Sequence, residues 1–200
     1  MIFEPEIPKI DKKFDIPSPF ILEPPYDIKT EYKKGDKFEF FCIIIGKAID
    51  YFPYFVLTFK EMGKRGIGIK GNRGKFKLLK IKNSNRIIYD HKTDILKNFK
   101  KNIKITVPKL EDDTITLKFI SPVRIKIKGK LITTLPFPLF IKVLLRRISL
   151  LSKNYCCQDK IVENFTQLLE KANSVYTIHS KLTWHDWQRF SLRQKTFMKL

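Results

Sequence analysis

GKRGIGIKGNRGK, residues 63–75, joins an apolar run with helical spacing to a run typical of a β-strand. This glycine-rich loop holds five of the chain's eight glycines and five basic residues. Glycine permits positive φ and lets a ligand approach the backbone amides, and cations around those amides suit a phosphate backbone. The alternative is a solvated, lysine-rich connection. Under the first interpretation the phosphate-facing cations are Lys64, Arg65, Lys70, Arg73 and Lys75.

The segments flanking the loop predict regular structure. Residues 51–62 predict a helix with Phe52, Phe55, Phe59 and Met62 on one face. Helical spacing favours a core role for this face over a platform that stacks bases. Residues 76–81 and 86–89 predict a β-hairpin, and residues 20–23 and 37–46 predict strands before the helix.

The charge balance points to a polyanionic partner. The chain has 200 residues, 40 Lys+Arg against 20 Asp+Glu, and a formal net charge of +20. Nucleic acid fits such a surface best. An anionic membrane surface is a weaker alternative. A third interpretation is that the lysine-rich composition reflects compositional bias and has no functional meaning.

Cysteine content and hydropathy indicate in which cellular compartment the protein resides. Three cysteines without metal-ligand or framework spacing favour a reducing compartment and predict no metal site. The first residues lack a signal-peptide pattern, and the apolar runs are too short to span a bilayer. These features predict a soluble cytoplasmic protein with no cofactor and no membrane partner.

The second half carries further basic positions. Residues 114–120 and 123–128 predict strands, and alternation places Arg124, Lys126 and Lys128 on one face as a basic ladder. An edge solvated by lysines explains the ladder equally well. Residues 139–152 and 158–172 predict helices. Arg146 and Arg147 interrupt the apolar pattern of the first helix, and three interpretations are open: they contact RNA phosphate, they extend their charged ends to the surface, or they pair with carboxylates of the chain. Residues 181–200 are aromatic and basic and include Arg189 and Arg193, a mixture that stacks bases and holds phosphates.

Several blocks of the chain together resemble one protein family. In order they read PFILEPP, YKKGDKFEF, IIIGKA, YFPYFVLTFKEMGKRGIG, GKFKLLKI, FISPVRIKIKGKL, LPFPLFIKVLLRRISLL and LTWHDWQRFSLRQKTFMKL. They span nearly all of residues 17–200 and resemble the CRISPR-associated endoribonuclease of the RAMP superfamily that processes precursor crRNA.

The resemblance implies an α+β fold of tandem ferredoxin-like (RRM-like) domains. We expect an N-terminal domain over residues 1–100, containing the glycine-rich loop, and a C-terminal domain over residues 101–200. Both are expected to be incomplete, because the family's first strand and helix precede the PFILEPP block and its later glycines follow the counterpart of Leu200. A fragment, a split gene product and a degenerate member all explain this pattern.

The resemblance also implies a reaction. A ribose 2′-hydroxyl attacks the adjacent phosphate without a metal ion, leaving a 2′,3′-cyclic phosphate and a 5′-hydroxyl. Histidine is the family's usual base, and His185 is the catalytic candidate by chemical type; the competing interpretation is a histidine that contacts RNA or solvent. The implied partners are CRISPR repeat RNA, other CRISPR effector proteins and a second copy of the chain. A non-catalytic RNA-binding scaffold with the same fold is the alternative function.

Overall fold

The computed structural model describes residues 16–25, 29, 31–68, 73–99, 109, 112–156, 164–184, 188–191 and 196–199. The strands are β1 (Phe20–Glu23), β2 (Phe41–Ile44), β3 (Lys80–Asn83), β4 (Arg86–Asp90), β5 (Ile95–Leu96), β6 (Lys126–Ile127), β7 (Lys130–Leu131), β8 (Gln188–Ser191) and β9 (Thr196–Lys199). The α-helices are α1 (Phe52–Arg65), α2 (Phe137–Leu151) and α3 (Phe165–Asn173). A 3₁₀ helix, Gly46–Tyr51, precedes α1, and a π-helical turn, Ser152–Cys156, follows α2.

The strands pair only antiparallel within the described residues. They form the pairs β1–β2, β6–β7 and β8–β9 and the three-stranded sheet β3–β4–β5. In the first pair Phe20 lies opposite Ile44, and in the last Gln188 lies opposite Lys199. Small antiparallel sheets combined with helices make a mixed structure that is compatible with the predicted α+β class. The tandem ferredoxin-like architecture stays a prediction.

The chain divides into two compact units, each built from two separate segments. The first unit comprises Met1–Thr58 and Pro138–Val175, and the second comprises Phe59–Phe137 and Tyr176–Leu200. Each unit thus combines residues from both halves of the sequence. The domain boundaries expected at residues 1–100 and 101–200 stay a prediction.

In the first unit, the early turns of α1 supply the core. Phe52 and Phe55 are 9% and 8% exposed, and Val56 is also buried. The ring of Phe55 meets that of Phe20 on β1 edge to face, with centroids 5.4 Å apart. Such a pair adds to the free energy gained from apolar burial and fixes where the strand lies against the helix.

In the second unit, the end of α1 and the β3–β4 hairpin supply the buried residues. Phe59 is 7% exposed, and Ile88 and Tyr89 on β4 are 2% and 3% exposed. Burial of Phe52, Phe55 and Phe59 confirms the predicted core face of α1. Met62 does not share that burial, since it is 37% exposed.

The expectation of strands at residues 114–120 and 123–128 was largely wrong. Residues 114–125 belong to no strand, and only Lys126–Ile127 is paired, in a hairpin with β7. Pro122 has no N–H to donate to a sheet, and an alternating run forms a strand only when another strand pairs with it. Lys128 has φ of 47° in the turn, which interrupts the predicted basic ladder beyond Lys126.

The helices lie close to their predicted positions. The observed α2 covers residues 137–151 where the sequence predicted 139–152. The described part of the second predicted helix is α3, while residues 157–163 lie outside the described residues. Among the described residues, no helix has both the length and the apolar character needed to cross a membrane.

Candidate nucleic-acid interface

Backbone hydrogen bonds close the base of the glycine-rich loop directly after α1. The amide of Gly66 donates to the Met62 carbonyl at 2.8 Å. Ile67 and Gly74 donate to each other's carbonyls, both at 2.9 Å, and Phe76 donates to the Gly63 carbonyl at 3.1 Å. The described limbs of the loop, residues 66–68 and 73–75, are therefore held together at the end of the helix.

This hydrogen bonding bears on the prediction that the backbone amides of the loop bind phosphate. Three of its amides, at positions 66, 67 and 74, already donate to backbone carbonyls, as does the amide of Phe76 directly after the loop. The loop also follows the C-terminal end of α1, where the helix dipole attracts cations and repels anions. These amides are therefore already engaged, whereas the side chains of Lys64, Arg65, Arg73 and Lys75 remain exposed.

Two glycines bring the limbs of the loop together. Gly66 has φ of +80°, and a Cβ placed there would lie 2.9 Å from the Cβ of Arg73. A Cβ on Gly63 would overlap the carbonyl oxygen of Phe76. Arg73 and the chain after it lie so close to the last turn of α1 that neither glycine position has room for a side chain.

The loop cations that the structure describes are all exposed. Lys64 and Arg65 occupy the last turn of α1, while Arg73 and Lys75 lie on the returning limb. Lys64 pairs with Glu61 at 2.6 Å, and its hydrogen bond lowers the pKa of the Glu61 carboxyl. Lys70 lies outside the described residues.

A second basic group lies at the β6–β7 hairpin. Arg124 and Lys126 are exposed on the segment that enters β6. Arg124 also lines a cavity of about 640 Å³ in the second unit, together with Lys118 and Lys181. The sequence interpretation did not select these two lysines, because neither belongs to a glycine-rich or alternating basic motif.

The other predicted positions are distributed elsewhere. Arg146 and Arg147 lie on α2 in the first unit, where both are exposed, so these arginines reach the surface as adjacent charges on an apolar helix must. Arg189 lies in β8, with its backbone opposite Met198. His185 and Arg193 lie outside the described residues. Their predicted roles stay predictions.

A charged cluster that the sequence did not indicate joins α1 to the β4–β5 turn. Lys60 Nζ lies 2.7 Å and 2.9 Å from the two carboxylate oxygens of Asp94. The hydroxyl of Tyr89 donates to Asp94 Oδ1 at 2.8 Å. Lys60 is distant in sequence from Asp94, so no local pattern indicates the pair. The one local sign is an aspartate in a turn, where φ of 54° is tolerated.

The contacts within this cluster shift the pKa values of Asp94 and Tyr89. The hydrogen bond from Lys60, followed by that from Tyr89, holds the pKa of Asp94 below its usual range. Burial, followed by the bond to Asp94, raises the pKa of Tyr89. The cluster thus ties the helix end to the hairpin and engages Lys60, which is better placed for structure than for binding RNA.

Replacing Asp94→Asn should lower the free energy of unfolding near neutral pH and flatten its acid dependence. A depressed folded-state pKa stabilises the protein above the unfolded value of about 3.9, and that contribution disappears as pH falls through the folded value. Urea unfolding at about pH 7 and about pH 3 measures this, with a larger gap between wild type and variant at the higher pH. Asp113→Asn, at an exposed position, is the control. An equal gap at both pH values would contradict the interpretation.

Among the residues that the structure describes, no group of three or more His, Cys, Asp and Glu side chains is placed to hold a metal ion. Cys42 and Cys156 are free thiols of intermediate exposure. Burial raises the pKa of the Cys42 thiol to about 11, which keeps it protonated and unreactive at neutral pH.

The described residues define a strongly basic α+β protein with exposed cations at the α1 loop, the β6–β7 hairpin and α2. The family model AF_1859_N, described as an N-terminal domain, matches residues 1–101. The chain therefore belongs to this family, whose description names no activity. No curated protein and no solved structure matches the chain.

Proposed function

We propose that this protein binds RNA as a RAMP-class component of a CRISPR system. The observation that carries the proposal is the net charge of +20. Of the predicted phosphate-contacting residues, the eight whose side chains the structure describes are all exposed: Lys64, Arg65, Arg73, Lys75, Arg124, Lys126, Arg146 and Arg147. Clustered exposed cations attract a polyanion by releasing its counterions.

The assignment to RNA and to CRISPR rests on the blocks of sequence quoted above. They resemble the family of tandem ferredoxin-like domains, and we propose that architecture for this chain. The three-stranded β3–β4–β5 sheet and the helix α1 before it are compatible with part of such a domain. The glycine-rich loop joins them and contributes side-chain cations.

The double variant Arg124→Gln/Lys126→Gln should bind RNA more weakly than wild type. Removing two phosphate contacts should also reduce the slope of log affinity against log salt by about 1.4 for a single strand. Fluorescence anisotropy with an end-labelled single-stranded RNA measures both quantities. The control is Lys77→Gln/Lys82→Gln, which removes the same charge from exposed positions of the same unit.

The comparison between the two double variants decides where RNA is held. Loss confined to the Arg124/Lys126 variant supports contact at the β6–β7 hairpin. Equal loss in both variants would mean that only total charge matters and would remove these two residues from the interface. A wild-type protein that fails to bind RNA would overturn the proposed function.

A second candidate function is cleavage of the bound RNA. The observation that favours it is His185, placed between Trp184 and Asp186 in the aromatic, basic C-terminal segment. In the proposed reaction a base removes the proton of a ribose 2′-hydroxyl and the oxygen attacks the adjacent phosphorus. The 5′-oxygen leaves and takes a proton, giving a 2′,3′-cyclic phosphate and a 5′-hydroxyl.

Incubation with labelled CRISPR repeat RNA in EDTA tests this second function. We expect one cut that leaves a cyclic phosphate, slowed roughly 10²- to 10⁴-fold by His185→Ala, because that is the usual contribution of a positioned acid or base. His179→Ala, at an exposed position, is the matched histidine control. Binding without cutting would assign the protein to the non-catalytic alternative, and unchanged cleavage by His185→Ala would remove His185 as the base.

A further inference from the structure

The cavity in the second unit is the feature that the charge pattern alone does not explain. It has a volume of about 640 Å³ and is lined by residues 116–125, 131–135 and 181–184. This volume lies in the range of roughly 300–1,000 Å³ that is typical of small-ligand sites. The cavity thus has room for a nucleotide-sized group.

The walls of the cavity combine an aromatic side chain with apolar ones. Trp184 is 56% exposed, and Leu117, Val123 and Leu182 are each about half exposed, at 48%, 49% and 50%. Because more than half of its surface is exposed, part of the Trp184 indole is accessible at the cavity wall. It offers a flat face suited to stacking.

The charge of the lining is of one sign. Lys118, Arg124 and Lys181 contribute cations, and no lining residue that the structure describes carries a carboxylate. Hydroxyl groups come from four threonines and one serine: Thr116, Ser121, Thr133, Thr134 and Thr183. An aromatic face beside cations and hydroxyls complements a planar base attached to a negatively charged sugar-phosphate.

We propose that this cavity binds an unpaired nucleotide of single-stranded RNA, with its base stacked on Trp184 and its phosphate held by Arg124 and the two lysines. This inference rests on the proposed RNA binding and gives it a location and a preference for unpaired strands. A base in a duplex is already stacked between its neighbours, so it is not available to Trp184. Stacking on an aromatic side chain is tolerant of sequence, so the cavity selects single strands rather than a base sequence.

The test combines a protein variant with removal of the bases. The affinities of wild type and Trp184→Ala are measured for an unstructured RNA of about ten nucleotides, its duplex, and an abasic sugar-phosphate strand of equal length. We expect Trp184→Ala to weaken binding of the intact single strand by roughly 5- to 150-fold and to leave binding of the duplex and the abasic strand unchanged. Tyr176→Ala is the aromatic control, since Tyr176 is 81% exposed and does not line the cavity.

Each outcome decides one claim. If wild type binds none of the three probes, the proposed function fails. If wild type binds RNA but Trp184→Ala weakens all three probes equally, or matches Tyr176→Ala, the stacking site is overturned while RNA binding stands. Circular dichroism of each variant shows that it is folded before affinities are compared.

Discussion

Gly46→Ala should lower the free energy of unfolding by about 2 to 5 kcal/mol, since it adds backbone strain to a steric overlap. Gly46 has φ of +60°, in the left-handed region that L side chains rarely adopt. A Cβ at this position would overlap the carbonyl oxygen of Tyr155 and lie 2.9 Å from Cys156 Sγ. The 3₁₀ helix and the π-helical turn of the first unit can pack together only if residue 46 has no side chain.

Gly35→Ala is the control that distinguishes the cost of backbone strain from the cost of steric overlap at Gly46. Gly35 has φ of +97°, and a Cβ there would have no neighbour within 4 Å. This variant should therefore lose only the backbone term, about 1 to 2 kcal/mol. Urea unfolding followed by circular dichroism measures both variants. An equal loss in the two would show that the packing of Gly46 against Tyr155 does not contribute.

Phe55→Ala should lower the free energy of unfolding by about 3 to 5 kcal/mol, because it leaves a cavity in the core and removes an aromatic pair. Phe55 is 8% exposed, and its ring meets Phe20 at 5.4 Å. The loss reaches β1 as well as α1, since the pair joins the strand to the helix.

Leu57→Ala is the control for helix propensity and side-chain size. Leu57 lies two residues farther along α1 and is 55% exposed, so its truncation removes little buried surface. We expect a loss below about 1 kcal/mol, as for other exposed positions. Equal losses for Phe55→Ala and Leu57→Ala in urea unfolding would contradict the assignment of the core to the aromatic face.

Local pattern was sufficient to predict the helices and the β3–β4 hairpin. Phenylalanines at helical spacing located α1, and the turn at residues 83–85 located the β3–β4 hairpin, although β3 covers Lys80–Asn83 where the sequence predicted residues 76–81. These features depend on neighbours in sequence, so periodicity reports them. The α+β class, by contrast, was an expectation drawn from the family resemblance.

Features that depend on distant residues were missed. Residues 114–120 alternate as a strand does, yet no described strand pairs with them, and pairing is not encoded in a local pattern. The Lys60–Asp94 contact joins residues 34 apart, and the cavity around Trp184 joins three separate segments. The hydrogen bonds that occupy the loop amides at positions 67 and 74 join the two described limbs of the loop, and no local pattern in the sequence indicates them.

The salt dependence of RNA binding tests the central claim most directly. The affinity of wild type for a labelled single-stranded RNA is measured by anisotropy from about 50 mM to about 200 mM NaCl. If exposed cations hold phosphates, log affinity falls linearly with log salt with a slope steeper than about −2, which corresponds to at least three phosphates. A slope near zero, or no binding at the lowest salt, would contradict the proposal that this basic chain binds RNA.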